Sequence, residues 1–164
     1  MAVDMFINMG KDIQGETKDE AQSKNKDIDV ITWSWGMSQQ GSFHTGSGGG
    51  SGKVNVNDLS FSKWVDSASG PIMKHCCKGT HIDKITLLVR KAGGDAQKYI
   101  TITMSKCIIT HVSTGANSGE ERLMENVRIN FAEVLYEYFI QDDKGLTKPS
   151  GKCGWNIETN KETA

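Results

Sequence analysis

Residues 98–112, KYITITMSKCIITHV, decide the fold class. Ile100, Ile102, Met104, Ile108 and Val112 read as one face, and Tyr99, Thr101, Thr103 and Ser105 as the other. Successive side chains of an extended chain point to opposite sides, so this alternation marks a half-buried strand. The pattern spreads in both directions. Upstream, Ile85, Leu87 and Val89 alternate in the same way, and Ala92-Gly-Gly-Asp95 is a turn that makes the pair a hairpin. Downstream, Val127, Ile129 and Phe131 give way to Val134, Tyr136 and Tyr138. That change of phase predicts a β-bulge near Ala132-Glu133, which would bend the sheet. Val54 and Val56, followed by Leu59 and Phe61, show a similar slip. With 18 Gly and 2 Pro for turns, about eight strands are spaced as in a sandwich or barrel. The chain is mainly β.

One helix is expected, over Ser67–Gly79, with Ser caps, Pro71 in its first turn and Lys78-Gly79 at its end. Ile72, Met73, Cys76 and Cys77 form its apolar face, and His75 lies at the surface. Lys11–Asp27, Gly41–Lys53 and Gln141–Lys152 read as polar loops. The second is too rich in Gly to be ordered by its own contacts.

The 164 residues fit one domain. A globule of that size withdraws roughly 70% of its unfolded surface from water, enough for a core without metal or disulfide. The net charge is −1 and no basic block occurs, which argues against a nucleic-acid partner. No apolar run approaches the roughly 20 residues of a spanning helix, so no membrane is expected. Met1–Ile7 lacks a basic start and is interrupted by Asp4, unlike a signal peptide. Folding in the cytoplasm follows, with Cys76, Cys77, Cys107 and Cys153 reduced.

No catalytic, cofactor or metal residues emerge. Ser47–Val54 approaches the phosphate-binding G-x-x-x-x-G-K-[ST], but Ser47 replaces its first Gly and Val54 its Ser or Thr. A strand follows it, so no helix dipole faces a phosphate. Cys76 and Cys77 diverge by about 100° on a helix and cannot converge on one ion. Cys107 and His111 would share a strand face about 13 Å apart, too far for a dyad. Glu120-Glu121 and Asp142-Asp143 read as solvated turns.

The segment 31–38, ITWSWGMS, is unusual. Ile31, Trp33, Trp35 and Met37 take one face; Thr32, Ser34, Gly36 and Ser38 take the other. A face without large or charged groups suits a surface that something packs against or slides past, though a plain edge strand would look similar.

Met1–Ile7, Ile28-Asp-Val, Trp33–Ser38, Gly52–Val56, Asp58–Phe61, Arg90–Gly94, Val112–Gly115, Glu125–Val127, Asn130-Phe131 and Gly154–Ile157 together resemble the haemolysin-coregulated protein (Hcp) family. The similarity runs in order along nearly the whole chain, departing mainly in Lys18–Asp27 and after Thr147. It implies one domain over residues 1–164: a closed two-sheet β-barrel with one short flanking α-helix. It implies a homohexamer whose stacked rings form the inner tube of a type VI secretion system. The tube would lie inside a contractile sheath, tipped by a valine–glycine-repeat (VgrG-type) spike protein. Effector proteins would travel in the lumen, and the chain would be secreted without a signal peptide. Thr32, Ser34 and Gly36 would face that lumen. Ser42, Phe43, His44, Gly48, Gly49 and Gly50 are expected at the contact between subunits, because a cyclic ring joins two different patches of each copy. A phage tail-tube-like subunit shares this architecture, and a small-ligand-binding β-barrel is the alternative from another class.

Overall fold

The computed structural model describes residues 2–44, 50, 52–92 and 96–164. The strands are β1 (Val3–Asn8), β2 (Ile28–Asp29), β3 (Thr32–Ser34), β4 (Met37–Ser38), β5 (Asn55–Val56) and β6 (Leu59–Trp64), then β7 (Ile82–Lys91), β8 (Gln97–Gly115), β9 (Met124–Gln141), β10 (Thr147–Asn156) and β11 (Lys161–Glu162). Helix α1 (Ser69–Lys78) precedes β7, and a single 3-10 turn occupies Ser23–Asn25. Nine strands form one sheet in the order β11-β10-β9-β8-β7-β1-β2, with β6 as a third neighbour of β9 and β3 beyond β6. β4 and β5 make a separate pair.

The expected closed barrel of about eight strands is not what forms. The sheet path ends at β2 and β11, which do not pair, and β6-β3 is a branch. The segment that would seal the circuit changes neighbours midway: β2 pairs β1, whereas β3 pairs β6. Two bonds carry the crossing, Val30 N–H to Met5 O (2.9 Å) and Ile31 N–H to Ser62 O (2.8 Å). Pieces two and three residues long cannot hold a ladder on both sides, so the sheet stays open and folds over in a sandwich-like arrangement.

The fold-over happens in the long strands β8 and β9. In β8 the buried apolar residues are Ile102 and Met104 before Lys106, then Cys107 and Ile109 after it. Lys106 itself takes a left-handed conformation at φ 53°. Opposite it, β9 switches from Val127, Ile129 and Phe131 to Val134. The change of phase near Ala132-Glu133 is therefore real, but the register does not slip there: Ser105 faces Glu133 and Cys107 faces Phe131. The slip lies at Ile109/His111. β9 also changes its outer neighbour at the bend, pairing β6 through Ile129 and β10 from Glu133.

Other expectations need correction. The slip in Val54–Trp64 is a break between β5 and β6. Half of the expected loop Gln141–Lys152, from Thr147 on, is β10; Pro149 sits where its register with β9 shifts, so its missing N–H interrupts no regular pairing. In α1 the capping position is Ala68 and no Ser side chain caps it. Ser67 donates to Gln14 O at 3.0 Å instead. Of the two cysteines on the apolar face of α1, Cys76 is half-buried and packs against the core, whereas Cys77 is exposed. His75 is half-buried, its Nδ1 2.9 Å from Pro71 O. Gly79 ends the helix at φ 62° as expected.

The core joins Ile7, Ile28, Leu59, Phe61, Ile72, Ile85, Leu87, Ile102, Met104, Val127 and Ile129. The polar stretch 11–27 is a strap over it, with Ile13 buried beneath. Gly15 N–H bonds Lys26 O at 2.8 Å. A Cβ on Gly15 would stand 2.3 Å from Asp27 O, so a side chain there would displace the strap.

Candidate functional site

The four strands β3, β6, β9 and β8 lie side by side. Their alternation sends the apolar set inward: Trp33 and Trp35 pack against the core beside Phe61, Val127 and Ile129. The outward set then falls into rows across the strands. One row is Thr32–Ser62–Asn126–Ser113, and the next is Ser34–Ser60–Arg128–His111. Thr32, Ser34, Asn126, Arg128 and His111 are exposed; Ser60, Ser62 and Ser113 are half-buried. The result is a broad face of small neutral polar groups with one cation near its middle.

Short hydrogen bonds order parts of this face. Ser62 Oγ donates to Asn126 Oδ1 at 2.6 Å. At the border, Asp58 accepts from Thr110 Oγ1 (2.6 Å) and Asn130 Nδ2 (2.8 Å). Behind the face, Trp35 Nε1 donates to Asn57 O at 3.0 Å, and its ring meets Phe131 at 6.2 Å between centroids.

Of the residues singled out from sequence, Thr32 and Ser34 lie on this face. Gly36 has left the ladder: it lies in the connection to β4, and its carbonyl accepts from Asn57 N–H at 3.0 Å. Met37 does not join the inward set and is 50% exposed. In the other group, Ser42 Oγ donates to Gly50 O at 2.8 Å, Phe43 is 87% exposed, and His44 is exposed. Gly48 and Gly49 lie outside the described residues. The sequence reading missed Ser60, Ser62, Asn126, Arg128 and Asn130. Their signal was the alternation of Leu59-Ser-Phe-Ser-Lys63 and Val127-Arg-Ile-Asn-Phe131, which names outward residues once β6 and β9 are known to be neighbours.

Elsewhere the charged groups serve the fold. Arg90, nearly buried, bonds Asp19 Oδ2 at 2.6 Å and Asp4 Oδ2 at 3.3 Å, and lies over the Phe6 ring. Its hydrogen bond, with backbone N–H donors, holds the Asp19 carboxyl below its ordinary range. Burial pushes Asp27 upward against a 2.6 Å bond from Asn8 Nδ2. Burial also pushes the Cys107 thiol up to about 12, so it is no thiolate nucleophile at neutral pH. Cys107 faces inward and His111 outward, so they do not share a face as expected; the register shift at Ile109/His111 separates them. Among the described residues, no three of His, Cys, Asp and Glu converge as metal ligands. No helix among them is long and apolar enough to cross a membrane.

Comparison with known proteins places this geometry. A family model described as "Type VI secretion system effector, Hcp" matches residues 6–138. The protein hcp1 of Pseudomonas aeruginosa is 50% identical over 163 residues, covering 98% of each chain. A solved structure of a type six secretion system protein superimposes with a TM-score of 0.90 at 27% identity, covering 99% of this chain and 100% of the other. Hcp1 from Salmonella typhimurium gives 0.79 at 33% identity over 99% and 100% of the two chains. With half its residues identical over almost its whole length and the same open β architecture, the chain belongs to the Hcp family of type VI secretion system proteins.

Proposed function

We propose that this protein is a non-enzymatic structural subunit. It assembles into hexameric rings that stack into the inner tube of the secretion apparatus and carry small effector proteins in the lumen. The observation that carries this reading is the polar face of β3, β6, β9 and β8. Trp33 and Trp35 hold it rigidly from behind, and Ser34 stands exposed within it. Such a wall, repeated six times, is wettable and lacks the apolar patches that would trap a passing protein. The largely exposed Phe43 supports a subunit contact through Gly41–Lys53, since a lone large aromatic in water gains most when a neighbour covers it. The sheath, the VgrG-type spike and the effectors are the partners this role requires, with folding in the cytoplasm before export.

Native mass spectrometry across protein concentration tests the ring. A sixfold species is expected, and a purely monomeric distribution would sink the proposal. Shortening Gly41–Lys53 should weaken that species while leaving the β-rich circular dichroism spectrum unchanged.

A further inference from the structure

The protein has three arginines, and two of them are engaged. Arg90 is clamped by Asp19 and Asp4, and Arg122 stacks on the Trp64 ring at 4.6 Å. The Arg128 carbonyl accepts from Thr110 Oγ1 at 3.3 Å, but its guanidinium has no ion pair, hydrogen bond or ring contact among the described residues. It is exposed in the middle of the polar face, directly between Ser60 and His111 and in the same row as Ser34. The carboxylate at the border of the face, Asp58, is occupied by Thr110 and Asn130.

We infer that Arg128 is a specificity-determining contact for the carried protein, selecting cargo surfaces that present Asp or Glu carboxylates. This rests on the proposal that the face lines the channel. The planar guanidinium offers donors in a fork that matches a carboxylate, and among the described residues it forms no salt bridge. The surrounding Ser, Thr and Asn side chains are short, so the guanidinium is the group that reaches out from the wall. A nucleic acid fits the same face poorly. Phosphate chains need several clustered cations, and here one guanidinium stands among neutral groups. In a sixfold ring the contact would be repeated around the channel, so weak single pairs would add by multivalency.

The test uses the full-length protein and two fluorescein-labelled peptides, (Gly-Glu)5 and (Gly-Gln)5, followed by fluorescence anisotropy at low and high salt. The wild type should prefer the acidic peptide, with the preference fading as salt rises. Arg128→Gln should weaken acidic-peptide binding about fivefold, the scale of an exposed charge pair. Arg122→Gln, which alters an engaged arginine elsewhere, should leave the preference in place. Equal binding by wild type and Arg128→Gln, or an equal loss in Arg122→Gln, overturns the inference. So does a single-stranded oligonucleotide that displaces the acidic peptide through Arg128. Native mass spectrometry of Arg128→Gln separates the two proposals. If only the variant loses the ring, Arg128 is a subunit contact and the inference is wrong. If the wild type itself forms no ring yet keeps an Arg128-dependent preference, the channel reading fails and the carboxylate site stands.

Discussion

Lys63 and Glu125 face each other across β6 and β9, both side chains fully shielded from solvent, with Nζ and Oε1 3.3 Å apart. Lys63 Nζ also reaches Asp66 Oδ1 at 2.8 Å, Trp64 O at 2.8 Å and Ser69 Oγ at 3.2 Å. Ser69 Oγ in turn donates to Glu125 Oε1. This cluster ties the start of α1 to the sheet. It lies on the side of β6 and β9 opposite Ser60, Ser62, Asn126 and Arg128.

Removing Lys63 leaves the Glu125 carboxylate buried without a counter-charge, whereas removing Glu125 leaves Lys63 still paired with Asp66 at 2.8 Å. Lys63→Met should cost about 3–5 kcal/mol in urea unfolding, and Glu125→Leu less, because Lys63 keeps Asp66. The double variant Lys63→Met/Glu125→Leu should lose less than the sum, because the Glu125 charge that Lys63→Met strands is then absent. Additive losses would show that the two residues act independently.

Asp19 and Arg90 anchor the strap to β7. Removing the carboxylate with Asp19→Asn leaves a nearly buried guanidinium short of a partner and should cost about 1–3 kcal/mol. The folded-state pKa of Asp19 is lowered, so its contribution is present above the ordinary value of 3.8 and is lost as pH falls through the folded value. Acid unfolding curves should therefore converge for wild type and Asp19→Asn at low pH. A constant gap between them down to the acid transition would contradict this.

Cys107 gives the opposite pH window. Its folded pKa is raised to about 12 from an ordinary 9.0, so the neutral thiol is favoured in the fold. That stability is complete below pH 9.0 and is lost as pH rises toward about 12. A thiol reagent at pH 8 should modify the exposed Cys77 and Cys153 in the native protein and Cys107 only on unfolding. Rapid native labelling of all four cysteines would refute the burial.

Trp33 and Ser34 are neighbours with separable roles. Trp33→Ala removes a ring that packs against the core and should cost about 3 kcal/mol, at the lower end for such changes because the ring is half-buried. Ser34→Gln adds bulk to an exposed position and should change stability by less than about 0.5 kcal/mol. If the face lines the channel, Ser34→Gln rings should form normally yet retain and export less effector. Normal export by intact Ser34→Gln rings would count against the channel wall.

Period-two alternation was legible from the residues alone because it belongs to the extended chain itself. It placed the β7–β8 hairpin, the inward Trp33 and Trp35, the outward Thr32 and Ser34, and the change of phase in β9. The end of α1 was equally readable, since Gly79 takes a left-handed conformation that few other residues adopt. Strand partnership was not legible. Nothing local says that β6 lies beside β9, and that pairing alone brings Ser60, Asn126 and Arg128 into the row of Ser34. Nor does any local pattern reveal that Ile28–Ser34 divides its bonds between β1 and β6 and leaves the sheet open. Lys106, at φ 53°, is a bend that composition disguises, because its conformation is imposed by the sheet and not preferred by a lysine. Alternation is set by each residue's own geometry, whereas the face, the bend and the open edge depend on contacts between segments far apart in the chain, so only the tertiary structure decides them.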